Sequence, residues 1–286
     1  VEGNYIGTTA DGTAPSPSHR GPVGVNVIDS TNTVVRGNVI SGIRVPGTFH
    51  YAGQVFGDGV RVTTINGPTS NTMVENNFIG TDPTGNASIP NLYGVRVAPF
   101  ISSYPTTGTN VSGNTIAFNE RAGVVVAYSI NGVRIDGNSI RDNGLLGIDL
   151  LGGGGAAGVT PNDPGDSDAG GNRLQNFPVV TAAFTNGTGT VMIEGSLNSA
   201  SNSTYLLQFF SNDACDPTGF GEGQTFLGEI SVMTNAAGNA TFSATPSVPV
   251  AVNAHVTSTA TSADGNTSEF SSCVLAETIP NLTGDI

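Results

Sequence analysis

GNTIAFNERAGVVVAYSINGVRID (Gly113–Asp136) is followed without a break by GNSIRDNGLLGIDLLGGGGAAGVT (Gly137–Thr160). Aligned, the two copies share Gly-Asn, an Ile three places after the Gly, a second Asn, and a Gly followed by a β-branched residue. The period from Gly113 to Gly137 is 24 residues. A fixed period of this size marks a repeat architecture. Short β-type runs broken by Gly and Asn mark a solenoid of strands, in which each coil buries its face on the next.

Working outward, the Asn-x-Ile/Val phrase recurs with its Asn at Asn4, Asn38, Asn77, Asn114 and Asn138. It alternates strictly with a second phrase that begins at Gly24, Gly59, Gly94, Gly123 and Gly147. About five coils follow, which at the usual strand spacing make a rod of about 24 Å. Within the second phrase, Val25 and Val27, Val60 and Val62, Val95 and Val97, Val124 and Val126, and Ile148 and Leu150 have strand spacing and are expected to face inward. Asn38, Asn77, Asn114 and Asn138 read either as turn residues or, as the strict alternation favours, as a stacked ladder of amides. Insertions interrupt the first three coils. Two of them, IGTTADGTAP (Ile6–Pro15) and IGTDPTGNASIP (Ile79–Pro90), begin alike and predict similar turns.

The GN-x-I and GV-x-V phrases resemble the repeats of right-handed parallel β-helix proteins of the pectin-lyase-like superfamily. The resemblance covers residues 1–160 and speaks for fold rather than activity. That fold carries lyases, hydrolases, tailspikes, adhesins and non-catalytic surface proteins.

After Gly152–Gly155 the composition shifts, and residues 161–176 form an acidic junction. Asn162, Asp163, Asp166, Asp168 and Asn172 supply oxygen ligands in an Asp-x-Asp pattern with neighbouring Gly, which suits a hard cation such as Ca²⁺. A plain acidic turn is the other reading. Residues 177–276 then hold seven short strand-like runs separated by turn signals such as Asn186-Gly187 and Asp264-Gly265, which predicts an antiparallel immunoglobulin-like β-sandwich. The phrases LQFFSNDACDPTGFGEGQTFLG (Leu207–Gly228) and TATSADGNTSEFSSCV (Thr259–Val274) resemble a module that often follows β-helix repeats in large bacterial extracellular proteins. Residues 277–286 read as a tail. The fold class expected is therefore all-β, a right-handed parallel β-helix plus a C-terminal antiparallel immunoglobulin-like sandwich.

Lys is absent, and 9 Arg face 22 acidic residues for a net charge of −13. Such a chain is expected to repel nucleic acid and anionic lipid, and acidic polysaccharides too unless a cation bridges them; no apolar run is long enough to span a membrane. Cys215 and Cys273 read as one disulfide of an oxidising compartment or as two buried thiols. Secretion to a bacterial surface is expected, with Val1 opening inside a repeat-like phrase as in a processed chain.

No catalytic constellation emerges. A lyase of the resembled superfamily needs a strong base and Ca²⁺. Here Lys is missing and Arg44, Arg61, Arg96 and Arg134 are scattered, with Arg61 and Arg96 expected as solvated rungs of one sheet face. A hydrolase needs paired carboxylates, and Asp58, Asp136, Asp142 and Asp149 form no such pair in the sequence. His19, His50 and His255 share no metal spacing. The rings Phe49, Tyr51, Phe56, Tyr93, Phe100 and Tyr104 either cover coil edges or form a glycan- or partner-binding surface. The function expected is a non-enzymatic extracellular structural or adhesive protein. It would assemble end to end as a homo-oligomer through Val1, Tyr5 and Ile6, with structural Ca²⁺ and no organic cofactor. A polysaccharide lyase or glycoside hydrolase, and a carbohydrate-binding adhesin, are the alternatives.

Overall fold

A computed structural model describes residues 1–18, 21–44, 50–51, 54–100, 104–185 and 190–278, with residues 50, 51, 54 and 55 as backbone only. His19, Phe49, the side chain of Tyr51 and the tail from residue 279 lie outside the described residues. Among those described, the chain is almost entirely β, in parallel and mixed sheets.

Residues 1–150 visit three parallel sheets in rotation. One stacks Tyr5–Ile6, Val39–Ile40, Phe78–Ile79, Thr115–Ala117 and Ser139–Arg141. The second stacks Val23–Ile28, Asp58–Thr63, Tyr93–Val97, Val124–Val126 and Ile148–Leu150. The third stacks Val34–Arg36, Met73–Glu75, Thr109–Ser112 and Val133–Asp136. Register is kept by like residues on like. Ile6, Ile40, Ile79, Ile116 and Ile140 form one column. Val35, Val74, Val111 and Ile135 form another. The second sheet carries the two expected columns, Val25 to Ile148 and Val27 to Leu150. All are buried except Ile6, which packs against the same cluster. A one-residue slip would turn each column to solvent, so the repeat fixes the register.

The repeat glycines have a steric cause. A Cβ on Gly24, Gly59, Gly94 or Gly123 would stand 2.4–2.8 Å from the carbonyl oxygen of the next glycine in the column. No other residue lets the coils approach so closely at that corner. The glycine of the Gly-Asn phrase serves differently. Gly37, Gly113 and Gly137 all have positive φ, and Asn76 takes the same conformation where Gly is missing. Asn tolerates that region better than other side chains.

Behind each of these residues stands the ladder. Asn38 Oδ1 accepts the Asn4 backbone N–H and side-chain amide. Asn77 does the same for Asn38, Asn114 for Asn77, and Asn138 for Asn114, at 2.9–3.1 Å.

The C-terminal unit is one seven-stranded sheet, ordered Thr225–Met233, Thr204–Asn212, His255–Ser262, Val274–Thr278, Val179–Thr185, Val191–Asn198, Asn239–Ala244. The expectation of a purely antiparallel unit needs one correction. The first strand, Val179–Thr185, pairs parallel with the last, Val274–Thr278. That pairing gives both terminal strands a neighbour and lets the sheet curl over its own core, around Ile193, Leu207, Phe209 and Val256. The Cys215–Cys273 disulfide is present, closing 58 residues of sequence. A loop of that length is worth about 4 kcal/mol on the chain-entropy account.

The two units share a core, since Phe210 and Phe270 belong to the same apolar cluster as the coil interior. Replacing Asn114 with Ala strands several buried donors and acceptors at once, each costing about 1–3 kcal/mol. Chemical denaturation of Asn114→Ala is expected to show a loss of about 2–4 kcal/mol, against less than about 0.5 kcal/mol for the surface change Asn86→Ala.

Candidate functional site

The second sheet carries a row of residues between its two buried columns. Asn26, Arg61, Arg96, Val125 and Asp149 stand opposite one another from coil to coil. By alternation they face outward. Arg61, Arg96, Val125 and Asp149 floor a cavity of about 460 Å³. Tyr93, Arg121, Tyr128 and Leu145 wall it, together with Gly155 and Ala157 from the glycine-rich loop after the last coil. Tyr128 and Leu145 are nearly half exposed and form an apolar rim.

The arginines are not solvated rungs, which corrects the sequence expectation. The Arg61 side chain is 1% exposed and that of Arg96 is 12%. The cause is Asp58, fully buried at the start of its strand, which contacts Arg61 at 3.1 Å and Arg96 at 2.9 Å. Arg61 lies over the Phe56 ring at 4.8 Å and Arg96 over the Tyr93 ring at 3.9 Å. Arg121 reaches the same tyrosine from the solvent side, donating to its hydroxyl at 3.1 Å. Burial pushes the Asp58 carboxyl up, against the pull of both guanidiniums. Burial likewise pushes Arg61 down, against the pull of Asp58, so each charge of the pair is sustained by the other. The group keeps one net positive charge under the floor of the groove.

Asp149 is the opposite case. Burial pushes its carboxyl up to about 6, opposed by one hydrogen bond from the Gly158 N–H. It is the acid of the floor that no salt bridge engages among the described residues.

The ring set of the sequence reading is divided. Phe56 and Tyr93 stack on the groove arginines. Tyr104 lines a separate cavity with Pro105 and Ile130. Phe100 is half-buried, its backbone bonded to Thr64. At the first coil, Val1 and Tyr5 are exposed, and the Val1 amino group donates to the Val34 carbonyl.

Of the five oxygen ligands expected in the junction, the structure gathers three. Ligand atoms of Asp163, Asp166 and Asp168 lie within 4.8 Å of one another. Burial, then the neighbouring carboxylates, push Asp168 up. Asp166 is raised by burial first and by Asp163, against bonds from Ser199 and Asn176. The other two ligands are spent elsewhere. Asn162 pairs with the Phe177 backbone, and Asn172 with Val133 and Thr267.

Sequence reading missed a second amide column, Asn91, Asn119 and Asn143, in which Asn91 donates to Asn119 and Asn119 to Asn143. Its signal was the second Asn of the 24-residue repeat. It also missed that Arg61, Arg96 and Arg121 converge. The register placed the first two side by side, but only the fold brings in Asp58 and the rings.

Asp58→Asn leaves two buried guanidiniums short of a counter-charge. It is expected to cost about 3–5 kcal/mol, read as a shifted denaturation midpoint. Glu75→Gln, at the half-exposed ion pair with Arg36, is expected to cost less than about 1 kcal/mol. Compared with known proteins, the chain matches no family model and no curated protein.

Proposed function

We propose that this chain is a non-enzymatic extracellular protein that holds an acidic polysaccharide in the groove of a rod. The rod reads as a right-handed parallel β-helix, as the three rotating sheets and the repeat suggest. The C-terminal unit reads as immunoglobulin-like, since its seven strands pair antiparallel except for the first with the last and curl over one core. A disulfide fits an oxidising compartment.

The observation that carries the ligand reading is charge placement. The chain has a net charge of −13 and only nine cationic side chains, yet three of them, Arg61, Arg96 and Arg121, line one cavity. The exposed Arg121, above the buried positive charge of Arg61 and Arg96 and beside exposed Tyr128 and Leu145, suits carboxylates on a sugar chain whose ring faces are apolar. Binding is favoured over cleavage. Hydrolysis needs two carboxylates with separate tasks, and Asp58 is already committed to two arginines.

End-to-end assembly is retained as the structural side of the proposal, with one constraint. The last coil already spends its backbone groups on the C-terminal unit. A second copy would therefore dock its first coil, around Val1, Tyr5 and Ile6, on the outside of that unit rather than on a bare strand edge. Asp163, Asp166 and Asp168 are proposed as a structural Ca²⁺ site that braces the junction.

Calorimetric titration with polygalacturonate and with a neutral glucan tests the ligand. Affinity for the acidic polymer alone is expected, about tenfold weaker in Arg121→Ala, where one charge-assisted contact is lost. Affinity is expected to fall as pH rises through about 6, because Asp149 then adds a negative charge to the floor. Release of shortened products, or equal affinity for the neutral polymer, would overturn the reading. For the cation, the melting temperature is expected to rise with Ca²⁺ and fall with chelator. Identical values, or the same response in Asp166→Asn, would remove calcium from the account.

A further inference from the structure

The loop Gly152–Thr160 runs between the groove and the C-terminal unit, and its first half is closed by its own turn, with Gly152 N–H donating to Ala156 and Gly155 N–H to Gly152. Four consecutive glycines open it, and no side chain from residue 153 to 158 is buried. A segment of this kind has much backbone entropy to lose on ordering. Two carboxylates bind its far half. Asp149 Oδ1, on the groove floor, accepts the Gly158 N–H at 3.1 Å. Glu269, from the C-terminal unit, accepts the Thr160 N–H on Oε2 at 2.9 Å. With Oε1 it accepts the Leu150 N–H of the last coil at 3.0 Å. Glu269 thus ties the loop and the sheet edge together, and the loop so placed contributes Gly155 and Ala157 to the groove wall.

We propose that loop 152–160 is a movable wall of the groove, latched by Asp149 of the rod and Glu269 of the C-terminal unit, so that the groove is complete only when the two units are docked. The latch is intrinsic to the free protein. Only its consequence for ligand binding rests on the proposed function.

The latch responds to protons, and the direction follows from its surroundings. Burial pushes Glu269 up to about 8, against the bonds from Thr160 and Leu150, and Asp149 adds to the rise. Burial pushes Asp149 up to about 6. Arg61, Arg96 and Arg121 share the cavity with Asp149, but among the described residues no salt bridge reaches either acid. Both groups titrate above their ordinary values in the closed arrangement. The closed state is therefore fully favoured below the ordinary carboxylate range. It loses that advantage as pH climbs, first through Asp149 near 6 and then through Glu269 near 8. Two ionised neighbours in a dry interface favour the open loop, in which water reaches both.

Amide hydrogen exchange on the full chain, corrected for the intrinsic rate at each pH, tests the latch without any ligand. Protection of Gly158 and Thr160 is expected to fall by about tenfold per pH unit once opening is linked to release of one proton, while Val95 and Val124 in the sheet stay protected. Asp149→Asn keeps an acceptor for Gly158 and removes the like charge, so release is expected at higher pH. Glu269→Ala is expected to expose Thr160 at every pH with Val95 and Val124 unchanged. Wild-type protection of Thr160 in Glu269→Ala would overturn the latch. Protection independent of pH in the wild type, or an unshifted release in Asp149→Asn, would overturn its proton control. If exchange behaves as expected and polygalacturonate still fails to bind, the latch stands and the ligand reading falls.

Discussion

A stack of parallel strands ends, at each face, in a row of backbone N–H and C=O groups that must be met by something. This constraint organises the molecule. Inside the stack each coil serves the next, and the asparagine columns extend the service to the corners, where the chain turns out of the sheet and backbone pairing lapses. At the last coil no further copy follows, and the junction and the C-terminal unit supply one in pieces. Glu222 Oε1 accepts both the backbone N–H and side-chain amide of Asn143, as Asn143 accepts those of Asn119. Gly223 exchanges two backbone bonds with Ile140. Thr267 takes the Ile135 N–H, Asn172 that of Val133, and Glu269 that of Leu150. All three sheets are closed by residues that imitate the missing coil.

An imitation made with carboxylates has a cost that one made with amides does not. Glu222 and Glu269 are good acceptors, yet they sit in a dry interface where ionisation is disfavoured, and burial pushes them up to about 7 and about 8. An Asn in the ladder donates upward as well as accepting, so the column is self-neutral. A Glu at its end only accepts unless it carries a proton. The disulfide sits where this weakness would tell. Cys215 and Cys273 join the loop that bears Glu222 and Gly223 to the segment that follows Glu269. Backbone bonds from Gly221 to Ser271 and from Cys273 to Gly219 run alongside.

What the sequence revealed follows from how local each cause is. The inward columns and the Gly-Asn corners were legible because they depend on spacing within one coil and recur. The paired insertions were legible for the same reason, and both close with a short antiparallel bridge, Thr8 with Pro15 and Thr81 with Ser88. The groove was hidden. Arg61 and Arg96 appear in identical GVRV phrases, and nothing local separates a solvated arginine from one pinned by an aspartate three residues earlier and two rings. The cap was hidden more deeply. Asn143 and Glu222 are 79 residues apart, and Leu150 and Glu269 are 119 apart. Neither glutamate belongs to any repeat, because each stands in for a repeat that is absent.

The groove and the cap are therefore not independent features placed on one stack of strands. Asp149 lies in the last strand of the second sheet, so its neighbour on one side is Val125 of the preceding coil and on the other the closing unit. The row that begins with Asn26 and runs through two arginines ends at that boundary. Wherever a stacked sheet must stop, its outer face loses a coil that would have continued the floor, and whatever closes the edge also bounds the floor. Here the closing residue is an acid and the bounding segment is a glycine-rich loop. At this boundary two buried carboxylates, Asp149 and Glu269, meet a segment in which no residue from 153 to 158 is buried. Regularity gives the preceding coils their stability, and the break in regularity is where the molecule has room to respond.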